Sequence, residues 1–338
     1  MSLRFTHETL PQRVVFGPAA EHLAAEVARL GSRPLVIGRA AADLLPGVPR
    51  YRDVVMHVPV DVAERARAFT ADSDADVLVS IGGGSATGLA KAIALTTGLP
   101  IVAVPTTYAG SEATDVWGLT EDGRKTTGAD RRVLPRTIVY DAGLTLSLPV
   151  RLSVASGLNA VAHCVDSMWA PRADPINQAL ALAGIRALSG GLPRIVSRPS
   201  DPEGREQTLY GAHLAAVAFA SAGSGLHHKI CHVLGGMFDL PHAQTHAVVL
   251  PYVMELNGVA VSALLAEAFG PDGLHGLRER IGAPRALRDF GFRESDIPAA
   301  VAAILAVVPP GNPVAVTAGD LTDLLRRAWA GEPTGDPR

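Results

Sequence analysis

The chain is poor in cysteine. Its 338 residues carry two, Cys164 and Cys231, on separate segments and without Cys-x-x-Cys spacing, so they read as buried thiols of a reducing cytoplasm and not as a redox motif. Charge of one sign is also lacking. A formal net charge of −3 and a pI near 6.4 give no global field to gather nucleic acid or an anionic membrane, and any anionic ligand must be drawn by local cations. The first ten residues, Met1 to Leu10, hold no apolar signal core, and no run reaches the roughly 18 apolar residues a membrane span needs. These absences predict a soluble, cytoplasmic chain with no nucleic-acid or membrane partner. No internal repeat is visible. The 48% hydrophobic and 19% charged content is that of a globular enzyme with a sizeable core.

What is present changes character along the chain. Short apolar, β-branched runs alternate with helical patterns at Arg13–Phe16, Pro34–Ile37, Val54–His57, Asp76–Ile81, Ile101–Val104 and Thr137–Tyr140, the pattern of a doubly wound parallel sheet with crossover helices. From Leu148 the spacing becomes helical, as in Ile176–Leu188, Arg205–Ala222 and Val259–Phe269. The expected organisation is an α/β nucleotide-binding domain over 1–147, an all-α catalytic domain over 148–330 with a hinge at Pro149 and around Gly157, and a frayed tail over 331–338.

Gly82-Gly83-Gly84-Ser85 follows a strand and opens a helix, so backbone N–H groups and the positive helix end can approach a pyrophosphate closely. It is neither Gly-x-Gly-x-x-Gly nor a Walker A loop, and a tight strand-to-helix turn is the plain alternative. The next strand ends in Pro105-Thr106-Thr107-Tyr108-Ala-Gly-Ser111-Glu112, a second sheet edge where hydroxyls and backbone donors suit a nucleotide or substrate anion; helix capping by the threonines is the alternative. Asn159 and His163 stand one helical turn apart, as do His228 and His232, and His242 follows a Gly235-Gly236 break that lets the chain fold back. Each pair projects from one helix face, and the four imidazoles with the amide are offered to one pocket.

The ordered set Gly82-Gly-Gly-Ser85, Pro105-Thr-Thr-Tyr-Ala-Gly-Ser-Glu112, Lys125-Thr-Thr-Gly128, Ser156-Gly-Leu-Asn-Ala-Val-Ala-His163, His227-His-Lys-Ile-Cys-His-Val-Leu-Gly-Gly236 and Leu240-Pro-His-Ala243 resembles the maleylacetate reductase branch of the iron-containing alcohol dehydrogenases, from about Phe16 to Pro251. The resemblance implies a dehydroquinate-synthase-like fold with the active site between its domains, a homodimer, and NADH or NADPH as cofactor, seated on Gly82, Gly83, Gly84, Ser85, Thr106, Thr107 and Ser111. It implies hydride transfer to the conjugated double bond of maleylacetate, giving 3-oxoadipate. His228 and His232 are then the first catalytic candidates, with His163 and His242 in support, and Tyr108, Lys125, Lys229 and Asn159 would bind the small dicarboxylate substrate.

In the metal-dependent relatives an aspartate and three histidines hold the ion, and the matching positions are Asn159, His163, His228 and His242. The amide removes the one anionic ligand, so no metal is expected, although three histidines can hold zinc. Two departures bear on function. The link Gly38–Pro49 contains two prolines, Pro46 and Pro49, and room for only about two helical turns, which reduces the edge that selects between the nicotinamides; Arg39 is a candidate for a 2′-phosphate. Asp115 and Asp166 add carboxylates that would oppose a dianionic substrate. The alternatives are a metal-dependent alcohol or aldehyde reductase, and a relative recruited to a non-redox step.

Overall fold

The computed structural model describes residues 4–121 and 124–335, with the side chains of Arg124 and Lys125 outside the description. The chain divides into Leu10–Leu148 and a second unit made of Met1–Thr9 with Pro149–Arg338. The start of the chain therefore does not join the α/β unit, as a 1–147 domain would require. His7 Nδ1 sits 2.8 Å from Asp174 Oδ2 and 3.3 Å from Ser221 Oγ, tying the N-terminal segment to the helical unit.

The α/β unit contains β1 (Arg13–Phe16), α1 (Ala19–Ala28), β2 (Pro34–Ile37), β3 (Arg50–Tyr51), α2 (Val60–Asp72), β4 (Val77–Gly82), α3 (Gly84–Thr97), β5 (Ile101–Pro105), β6 (Val116–Glu121), β7 (Arg124–Ala129) and β8 (Thr137–Tyr140). Six of these strands form a sheet in the order β1-β8-β5-β4-β2-β3, with every pairing parallel. Both faces are covered, which explains the nearly continuous apolar strands. Leu35, Ile37 and Leu78 join Ala63, Leu89 and Ile93 of α2 and α3, while Val36, Val77, Val79 and Val102 join Leu23 and Val27 of α1.

A local expectation fails here. Val54–His57 is not a strand: only Arg50–Tyr51 pairs with β2, and the chain then turns through left-handed His57 and Val58, φ 64° and 50°, leaving Met56 65% exposed. The Lys125-Thr-Thr-Gly128 segment forms part of β7, which pairs antiparallel with β6. Gly128 lies under Trp117, where a Cβ would come within 2.7 Å of the indole. The link over 38–49 contains no helix at all; instead Arg50 donates to the carbonyls of Gly38, Ala40 and Ala41, and exposed Arg39 donates to Arg52 O at 2.7 Å.

Lys91 of α3 is fully buried, and its ammonium donates to Thr114 O, Thr114 Oγ1 and Val116 O at 2.8, 3.0 and 2.8 Å, holding the chain that enters β6. Burial pushes its pKa down to about 7 from the ordinary 10.5, against the pull of Glu112 and Asp115. The folded protein thus binds fewer protons than the unfolded chain between these values, and this group makes stability rise with pH across that window. Lys91→Met should cost about 2–3 kcal/mol by stranding the three acceptors and should flatten that rise, as read in thermal melts from neutral to alkaline pH.

The second unit is all helix among its described residues: α4 (Val150–Ser167), α5 (Pro175–Ser197), α6 (Pro202–Ala222), α7 (Leu226–Phe238), α8 (His242–Asn257), α9 (Ser262–Phe269), α10 (Gly273–Arg280), α11 (Ile297–Leu305) and α12 (Ala318–Ala330), with short 3₁₀ turns. Gly157 is no hinge. It lies inside α4, where a Cβ would stand 2.4 Å from Leu192 Cδ2, so its smallness lets α4 approach α5. Pro175–Ser197 and His242–Phe269 are long and apolar enough to cross a membrane by length and composition, contrary to the reading of the sequence. Here α5 packs on α4 and α6, α8 packs on α4 and α7, and residues such as Ile185, Leu188, Leu192, Val249 and Leu250 are fully buried. The expected tail is held at its start, since Tyr252 Oη donates to Glu332 O at 2.8 Å.

Candidate active site

Asn159 and His163 occur on α4, His228 and His232 on α7, and His242 is the first residue of α8. The Gly235-Gly236 pair does not break α7. The helix runs on to Phe238, and the reversal occurs at Asp239, which adopts φ 52° and leads through Leu240-Pro241 into α8.

The four predicted imidazoles meet. His163 stacks on His228 at 4.8 Å with 10° between planes; His232 lies 6.1 Å from His228 and 6.3 Å from His242, measured between ring centroids. Two further rings join them. His246, one turn beyond His242, is 4.4 Å from it and 4.8 Å from His228, and His227 is 5.3 Å from His228. Phe219 of α6 covers His163 and His228 at 4.7 and 4.2 Å. The i,i+4 rule that pairs 228 with 232 also pairs 242 with 246, so His246 was findable from spacing.

Burial keeps the four inner rings neutral, whereas His232 and His242 are exposed. Burial pushes His163 and His227 down to about 3, and His228 and His246 well below the ordinary imidazole value, with neighbouring histidines adding to the effect. His227 Nε2 and His246 Nδ1 are 2.9 Å apart and share one proton. Their outer nitrogens, His227 Nδ1 and His246 Nε2, are buried and unpartnered, so a single outer N–H remains on one of the two rings. Cys231 Sγ stands 3.7 Å from His227 Nε2. These three groups lie within 4.8 Å of one another, with the shortest separation already taken by the hydrogen bond.

Asp166 corrects an expectation. It does not oppose an anionic ligand, because its carboxylate is wholly buried and surrounded by donors: Gly225 N and Trp169 Nε1 at 2.8 Å, His227 N at 3.3 Å, His228 N at 3.4 Å and His228 Nδ1 at 2.8 Å. Burial raises it to about 6 while these donors pull it down, so it is largely ionised at neutral pH. Its spacing of three from His163 on α4 was the available signal; its partners arrive from about 60 residues away.

The remaining candidates are placed as follows. Gly82 ends β4 with φ 154°, Gly83 caps α3, and a Cβ on Gly83 would come within 2.9 Å of Thr107 Cγ2. Thr106 N donates to Gly82 O at 3.0 Å, so the glycine loop and the Pro105–Thr107 edge adjoin within the α/β unit. Ser85, Thr106, Thr107 and Ser111 are half-buried and Tyr108 is fully buried. Lys229 is half-buried on α7. Lys125 lies outside the described residues where its side chain is concerned.

The iron-containing alcohol dehydrogenase model matches residues 11–142, and the model for the C-terminal part of the Fe-containing alcohol dehydrogenase family matches 153–329. The chain belongs to the iron-containing alcohol dehydrogenase family. A maleylacetate reductase of Sphingobium indicum is 43% identical over 350 residues, covering 98% of this chain and 99% of that protein. Among solved structures, an iron-containing alcohol dehydrogenase from Corynebacterium glutamicum is 55% identical with a TM-score of 0.95, covering 98% and 99% of the two chains. A maleylacetate reductase from Rhizobium sp. strain MTP-10005 is 41% identical with a TM-score of 0.91 over 97% and 99%.

The family name implies iron, and the residues can be tested against it. Asn159 Oδ1 and His228 Nε2 are buried acceptors without a donor, and His163 Nδ1 is likewise unpartnered. Lone pairs of this kind fit a divalent cation. The set is wholly neutral, however, and its nearest anion is Asp166, one imidazole removed through His228, a placement that raises ligand basicity without supplying a charged ligand.

Proposed function

We propose that this chain is an NAD(P)H-dependent maleylacetate reductase whose turnover does not require a metal. The likeness to proteins named maleylacetate reductase over 98% of the chain supports the reaction, and the neutral amide at Asn159 supports the dispensable metal. Hydride from the nicotinamide goes to the carbon β to the ketone, the electron pair of the double bond moves onto the ketone oxygen, and a proton completes the saturated 3-oxo acid. Glycines 82–84 let backbone donors approach a diphosphate. The imidazole cluster can meet the developing oxyanion with N–H donors held in place on α7 and α8, at the exposed side of the buried rings. His232 and His242 are the proposed donors. A dication held by Asn159, His163, His228 and His242 would supply Lewis acidity to the same oxygen.

Chelator-treated protein mixed with maleylacetate should oxidise NADH or NADPH, as followed by nicotinamide absorbance. Absence of turnover with both would overturn the reading. His232→Ala should lower kcat by about 100-fold while the nicotinamide Kd, from fluorescence titration, stays within about twofold. An equal loss in both would place His232 at the cofactor.

The unpartnered lone pairs of Asn159 and His228 favour a second reading, a metal-dependent alcohol or aldehyde reductase. It requires zinc or iron by elemental analysis and activity lost on chelation.

A further inference from the structure

We propose that Asp166 is a positioning residue that locks His228 in its Nδ1–H form, so that Nε2 is offered to the site as a lone pair. The proposal rests on the reductase reading only for its effect on turnover. Three of the five donors around the carboxylate are backbone N–H groups of Gly225, His227 and His228 at the start of α7, and the fourth is the indole N–H of Trp169. The backbone donors are fixed by the helix and its positive end favours the anion. An ionised carboxylate only accepts, so the 2.8 Å contact to His228 Nδ1 must carry the imidazole proton. A neutral ring with its proton there has none on Nε2.

The ring cannot turn to exchange its nitrogens without disturbing its neighbours. His163 stacks on it at 4.8 Å and Phe219 covers it at 4.2 Å. Nε2 is left buried and without a donor. His228 therefore receives a proton, a water hydrogen or a cation. It does not donate to a developing oxyanion, and that part falls to His232, His242 or His246. This divides roles within a cluster whose members look equivalent in the sequence.

The test uses the intact protein labelled with ¹⁵N-histidine. The long-range ¹H–¹⁵N spectrum of the wild type should show one buried ring with Nδ1 protonated and Nε2 bare, assigned to His228 by its loss in His228→Gln. A His228 protonated on Nε2 overturns the proposal, and this spectrum decides it even where a variant does not fold. Folded Asp166→Ala should give a mixture of His228 tautomers and a kcat lower by about 10- to 100-fold, with the nicotinamide Kd within about twofold. Wild-type tautomer with unchanged kcat in that variant also overturns it. Failure of the wild type to reduce maleylacetate would strike the reductase reading alone, because the spectrum needs no substrate.

Discussion

Asn159→Asp is expected to destabilise the metal-free protein and to make its melting temperature depend on divalent metal. Asn159 is 2% exposed and its Oδ1 has no donor. An ionised carboxylate at this position would be buried and uncompensated, at a cost of about 3–5 kcal/mol, and would lower Tm by roughly 5–10 °C. A dication bound with His163, His228 and His242 supplies the missing counter-charge. Its affinity should rise by at least about 100-fold over wild type, equivalent to about 2.7 kcal/mol, with Tm recovering as zinc is added. Calorimetry and thermal melts with and without chelator read both effects. A variant that melts as wild type does, with no response to zinc, would show that the three imidazoles do not converge on position 159.

Gly225→Ala should be nearly as damaging, although it adds one methyl group. A Cβ at Gly225 would stand 2.4 Å from Asp166 Oδ1, 2.8 Å from its Cγ and 3.0 Å from Oδ2. The obstacle is a short, fully buried carboxylate held by five donors, so it has no free end that can swing away. Displacing it strands the first N–H groups of α7 together with the charge, and about 3–5 kcal/mol is expected to be lost. Gly236→Ala is the control. It lies later in the same helix, and nothing stands within 4 Å of the place its added methyl group would take. Replacing an interior helical glycine there should leave stability unchanged or raise it by about 0.5–1 kcal/mol. Urea melts of the two variants side by side test the contrast; equal midpoints would mean that the carboxylate is free to move.

The sequence carried the architecture where one interaction dominates. Runs such as 35–37 and 101–104 are buried on both faces, so apolar continuity alone marks them as strands. Val54–His57 has the same chemistry without the partner strand, and two left-handed residues, His57 and Val58, turn it away from the sheet; no local property of valine signals that. The histidines at 163, 228, 232 and 242 were legible because helical periodicity sets a face. The sign of Asp166 alone points the wrong way, because its surroundings are not visible in the local sequence. What decides its role is the supply of N–H groups from the opening of α7, a contact between segments about 60 residues apart.

The path of the chain also has a consequence for how the protein is made and cut. Its opening residues are anchored through His7 to Asp174 and Ser221, so Leu10–Leu148 is an insertion within the fold of the other unit. On the ribosome, the leading segment must wait for more than 160 residues of synthesis before its anchors emerge. Removing residues 1–9, or crowding them with an affinity tag, should therefore loosen α5 and α6 and leave the nucleotide-type sheet intact.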